Sequence, residues 1–188
     1  MNPTLAFVAQ ATLSLLSFGL IARWVIYPRL RTRTLRDALT PLLLFETLRT
    51  VGLIFIIPSV IDAALPATFT TPATVGDLLA VFLAFVALIA VRAGWRAGPA
   101  LAWLFSVEGL ADFINATAQG LRINIAHYHL GIAWFIPTYA VPLFVVVQLM
   151  VIAVLLNAQR KHDGERRERQ RAAAQAADVS GRLTASIS

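Results

Sequence analysis

Apolar runs of about twenty residues recur along the chain, separated by short polar stretches, and each is long enough to cross a hydrocarbon core ~30 Å thick. The pattern predicts an all-α fold: a polytopic integral membrane protein, a bundle of five transmembrane helices over about residues 5–27, 39–61, 75–91, 99–118 and 132–157. Residues 1–157 would form this transmembrane domain. Residues 158–188 would form a basic cytoplasmic tail whose first half extends the last helix and whose final ten or so residues are disordered.

The connections refine this picture. Met1 to Thr4 carry no Lys or Arg, so the first run reads as a retained helix rather than a signal peptide. Gln10, Ser14 and Ser17 share one of its faces and suit contact between helices. Trp24 and Tyr27 mark the headgroup level. A basic loop follows, and Asp37 with Thr40-Pro41 suits the start of the second helix. Pro58 would bend or end the outer part of that helix. The stretch from Asp62 to Thr74 reads as a loop, with Asp77 in the first turn of a third helix that has no interior charge. Ala80, Ala84 and Ala87 give that helix a small-residue face for close packing. Gly94 and Gly98 are spaced as GxxxG but fall in a polar turn. In the fifth run Pro137 and Pro142 bracket Tyr139 and predict a kinked or partly unwound first half.

Composition sharpens the class. Hydrophobic residues make up 58% of the 188 and charged ones only 14%, against about 25% charged in soluble domains. The chain has no cysteine, which excludes disulfides and thiol chemistry. The net charge of +6 lies beside the apolar runs, so it reads as orientation and contact with anionic lipid headgroups at the basic loop and tail, not as nucleic-acid binding. Fourteen of the sixteen Lys and Arg fall on one side, which predicts the N-terminus outside and the C-terminus in the cytoplasm of a bacterial inner (plasma) membrane.

The candidate chemistry sits inside the apolar runs. Glu108, Asp112, Asn115 and Gln119 recur at i, i+4, i+7 and i+11, one stripe on the fourth helix. The second helix carries Glu46 and Arg49, spaced to pair across one turn. An Arg at bilayer depth costs about 2.5–3.5 kcal/mol on insertion scales and needs carboxylate company. The expected site therefore lies between the second and fourth helices. One Arg cannot neutralise three carboxylates, so a carboxyl stays protonated, a cation binds, or a cationic ligand supplies the missing charge. The plain structural alternative is a lock between two helices. Asn115, Gln119 and Tyr139 would complete a polar path. His127 and His129 could share a face in an extended segment, but two ligands fall short of a metal site.

Three functions fit these residues. The leading one is proton- or cation-coupled transport of a small solute, by a homo-oligomer or beside a partner membrane subunit. The second is a membrane-embedded enzyme or binding protein for a lipophilic (isoprenoid-, sterol- or quinone-like) ligand, using carboxyl acid/base chemistry. The third is a non-catalytic membrane subunit. No motif specifies a cofactor or a reaction.

Overall fold

The computed structural model describes residues 2–57, 60–62 and 64–185, without the side chains of 172–174 and 176–185. Pro58 lies outside the described residues, as do 186–188 of the expected disordered end. The described residues contain helices and turns and no strand. Contacts divide the chain into two compact units, Met1–Val154 and Leu155–Ser188. The second unit is polar and helical through Ala185.

Five long helices follow in order: α1 (Pro3–Leu30), α2 (Leu35–Ile56), α3 (Ala67–Arg92), α4 (Gly98–Arg122) and α5 (Val141–Ala185). Four stretches are long and apolar enough to cross a membrane: α1, α2, α3 and the segment Gly131–Arg171. Helix α4 has 25 residues and carries the polar stripe, which lowers its apolarity.

Local chemistry sets the ends. Asn2 accepts from the Thr4 backbone N–H at 3.0 Å and starts α1. Thr34 caps α2: its hydroxyl oxygen accepts from the Asp37 N–H at 3.2 Å and its O–H donates to the Asp37 carboxylate at 2.8 Å. Gly94 takes φ +71°, which lets Trp95 N–H reach back to the Ala90 carbonyl at 2.9 Å and close α3. Helix α1 packs through Gln10, whose side chain accepts from the Trp134 indole N–H at 2.8 Å.

Two irregular segments matter for the site. The second half of α2, Thr47–Ile56, is a ten-residue 3-10 helix, well beyond the usual three or four residues. At three residues per turn it aligns Glu46, Arg49, Gly52 and Phe55 in one column, and all four are buried. Regular α-helical spacing would turn Phe55 away. The segment before α5 is also irregular, with a 3-10 turn over Gly131–Trp134 and a π turn over Ile136–Ala140. Pro137 and Pro142 remove backbone donors there.

The sequence reading places Asp62 to Thr74 in a loop and Asp77 in a first turn. The structure corrects both. Helix α3 starts at Ala67, and Asp77 lies deep in its interior. Pro72 is tolerated because it falls in the second turn of the helix, where little of the backbone ladder is lost.

Helix α3 packs extensively against both α2 and α4. Ala80, Ala84, Ala87 and Ala90 are fully buried, and such small side chains allow close approach. Ala84→Leu should overpack this seam and destabilise by about 1–3 kcal/mol. Phe82→Ala, on the exposed face, should change stability by less than about 0.5 kcal/mol. Unfolding of the two variants in one detergent series checks this; equal losses would place the seam elsewhere.

Candidate functional site

The site is built on Arg49, whose side chain has no exposed surface. Its Nε donates to Asp77 Oδ1 at 3.0 Å, and its Nη2 lies 2.9 Å from the same oxygen. Nη2 also donates to Asp112 Oδ2. The guanidinium carbon stands 4.0 Å over the Phe113 ring. One cation thus ties α2, α3 and α4 together through two carboxylates.

Glycines make the room. A Cβ on Gly52 of α2 would sit 1.8 Å from Asp77 Oδ2, and one on Gly76 of α3 would sit 1.8 Å from Asp112 Oδ1. A Cβ on Gly109 of α4 would come within 2.9 Å of the Gln148 side-chain oxygen on α5 and 3.2 Å of Arg49 Nη1. Each helix therefore gives up a side chain where the next one inserts a polar group. The same close approach is what only glycine allows.

Behind the ion triad lies a second polar layer. Glu46 and Gln148 are fully buried. Both Glu46 carboxyl oxygens, Arg49 Nη1, both Gln148 amide atoms and Glu108 Oε2 are buried without a hydrogen-bond partner among the described residues. Groups of this kind are suited to bridging by water.

The structure treats the sequence candidates unequally. Arg49 and Asp112 are brought together as expected. Glu46 is not the partner of Arg49: Nε and Nη2 turn to Asp77 and Asp112, where the neighbouring helices present two carboxylates and glycine-sized gaps. Glu108 is half-buried at the margin of the α4 packing face, and the ion pairs among the described residues do not include it. Asn115 accepts from the Gln119 side chain at 2.9 Å on the exposed side of α4. Tyr139 packs edge-on against Phe18, with ring centroids 4.9 Å apart. His127 and His129 are exposed, and among the described residues no group of three His, Cys, Asp or Glu gathers as a metal site.

The fourth-helix stripe explains this sorting. The buried face of α4 follows Ala102, Phe105, Gly109, Phe113 and Gly120. Asp112, beside Phe113, is the stripe member that belongs to this buried face, whereas Glu108 and Gln119 are half-buried beside it and Asn115 is exposed. Sequence reasoning missed Asp77, Gly52, Gly76, Gly109 and Gln148. The available signal was the Gly76-Asp77 pair inside an apolar run, a costly dipeptide there unless it packs against a partner.

An apolar cavity of about 340 Å³ borders this site. Phe7 and Leu15 of α1, Phe55 of α2, Phe69 of α3 and Val141 of α5 line it, together with Asp77 and Asp112. Its volume falls in the roughly 300–1,000 Å³ range of small-molecule sites.

The model of a family described as a domain of unknown function, DUF8737, matches residues 6–156. The chain belongs to the DUF8737 family. No curated protein and no solved structure matches it. The matched residues contain the whole triad, its three glycines, Gln148 and every residue lining the cavity.

On the connecting loops Asp62 joins two segments. Its Oδ1 accepts from the Ala64 N–H at 3.0 Å and its Oδ2 from the His129 N–H at 3.2 Å. These two donors hold the Asp62 carboxyl below its ordinary value of 3.8. The sign follows: the clasp is complete above 3.8 and is lost as pH falls through the lower folded value. The protection factor of the His129 amide should therefore drop in acid in the wild type, and Asp62→Asn should flatten that drop. Protection that is constant through the acid range would show that the clasp does not form.

Gly76→Ala should push the Asp112 carboxylate off Arg49 and destabilise by about 3–5 kcal/mol, the usual cost of breaking a buried pair. Gly19→Ala has nothing within 4 Å of the new Cβ and should be neutral or stabilise by about 0.5–1 kcal/mol. Thermal unfolding in detergent reads both, and a harmless Gly76→Ala would mean that the carboxylate is not held there.

Proposed function

We propose that this DUF8737 chain binds a lipophilic small molecule within the membrane, with the ligand's apolar body in the 340 Å³ cavity and its polar head at Asp77 and Asp112. The carrying observation is the cavity itself: a mostly apolar wall that includes two carboxylates already anchored on a buried Arg. Anchoring fixes the acceptor oxygens before the ligand arrives, which lowers the ordering cost of binding.

The membrane arrangement belongs to the same proposal. Helix α4, the fourth in order, also spans the membrane, with Asp112 of its polar stripe packed against α3. The basic turn after α1, the Arg92 and Arg96 turn and the Arg-rich tail lie on the cytoplasmic side of an inner membrane, leaving the N-terminus outside. The tail and loop contact anionic headgroups.

A second reading, proton- or cation-coupled movement of a small solute, is favoured by four carboxyls, Glu46, Asp77, Glu108 and Asp112, gathered around one Arg. Carboxyl excess of this kind accompanies proton and ion pathways in membranes.

Lipid extraction from the protein purified in polymer discs tests the leading proposal. A lipophile should copurify with the wild type. Ala116→Phe, which fills the cavity wall away from Arg49, should lower its content about tenfold. Equal content in both proteins, or none in either, would contradict the proposal.

A further inference from the structure

The cavity wall has a sign. Asp77 and Asp112 line it, whereas Arg49 does not. The guanidinium lies behind the carboxylates, with no exposed side-chain surface, while the Asp77 side chain is 20% exposed and Asp112 7%. Among the described residues no other charged one borders the cavity. A molecule inside it therefore meets two carboxylates and only the distant side of one cation.

The charge count points the same way. Asp77 and Asp112 together exceed Arg49 by one negative charge when ionised. Glu46 and Glu108 add carboxyls close enough to feel Arg49, and Arg49 is the one basic residue among the buried polar side chains described. In a low-dielectric interior, an excess of that kind strongly favours a positive neighbour. Phe7, Phe55 and Phe69 supply aromatic side chains along the same wall, which are favourable surroundings for a cation.

We propose that the head group this cavity receives is a cation, an ammonium carried on a single apolar chain or ring system. This rests on the lipophile-binding proposal and narrows its ligand class. An anionic head, a carboxylate or a phosphate, is rejected by the same two aspartates. A neutral hydroxyl head can donate one hydrogen bond but leaves the charge excess unanswered.

The test uses three amphiphiles with one tail and different heads: dodecylamine, dodecanol and dodecanoate. Each is equilibrated with the full chain in phosphatidylcholine nanodiscs, and uptake by empty discs is subtracted. The amine should bind about tenfold or more tighter than the alcohol, and the carboxylate should bind more weakly than either. Asp112→Asn should erase most of the amine's advantage. Should that variant fail to fold, the wild-type series decides alone. Equal affinities for the three heads would overturn the cationic ligand and leave the cavity proposal standing. Binding of none of the three would overturn the cavity proposal as well. Repeating the series in discs containing phosphatidylethanolamine tests the lipid headgroup as a source of the ammonium. Unchanged amine affinity there supports the single-chain amine, whereas a several-fold loss would show a phosphate-bearing head competing for the cavity and would overturn the rejection of phosphate.

Discussion

Burying a guanidinium among apolar helices is costly, and the bundle is arranged to meet that one cost. Arg49 has no exposed side-chain surface, so its charge must be answered by protein groups. Asp77 and Asp112 answer it from two different helices. Their carboxylates need space between closely packed helices, and Gly52 and Gly76 provide it. Gly109 repeats the arrangement for Gln148. The 3-10 winding of Thr47–Ile56 belongs to the same constraint, because it keeps Arg49, Gly52 and Phe55 on one buried line. Cation, acceptors, glycines and helix type are thus one interdependent unit, and changing any member disturbs the others.

That unit also gives the cavity its polarity. Arg49 holds the two carboxylates at a fixed depth but does not reach the cavity wall. The apolar lining comes from α1, from Phe55 of α2 and Phe69 and Ala73 of α3, from the second half of α4 between Ala116 and Leu121, and from the irregular segment around Pro137 and Pro142. Irregular backbone at such depth is tolerated where it lines a cavity or is buried in protein. Helix packing and binding chemistry therefore share the same residues, which is why a purely structural lock and a ligand site are hard to separate by sequence spacing alone.

Much of the class was legible in the chain. Apolar runs, an internal Arg, and the proline-bracketed Tyr139 all point to a helical membrane bundle with an interrupted last span. That Arg49 needs a carboxylate partner was legible too, because charges at helix centres demand company. The partner of Arg49 was not. Glu46 has the right spacing, but the carboxylates that the neighbouring helices offer in glycine-sized gaps take the pairing. Asp77 was hidden by Pro66, Pro72 and a run of threonines, which read as a loop. Once Ala67 begins the helix, the same aspartate sits three turns inside it. Asn115, Gln119 and Glu108 share a stripe with Asp112, yet only Asp112 meets a buried cation and a glycine-sized gap, at Arg49 and Gly76, and is buried.

The central claim is that one buried Arg holds two aspartates from two other helices. Solid-state NMR of the full chain in lipid vesicles measures this directly, through dipolar recoupling between guanidinium nitrogens and side-chain carboxyl carbons. The account predicts that one Arg couples to two Asp carboxyls, with one coupling lost in Asp77→Asn and the other in Asp112→Asn. Coupling of Arg49 to a Glu carboxyl, from Glu46 or Glu108, with neither aspartate in range, would contradict it.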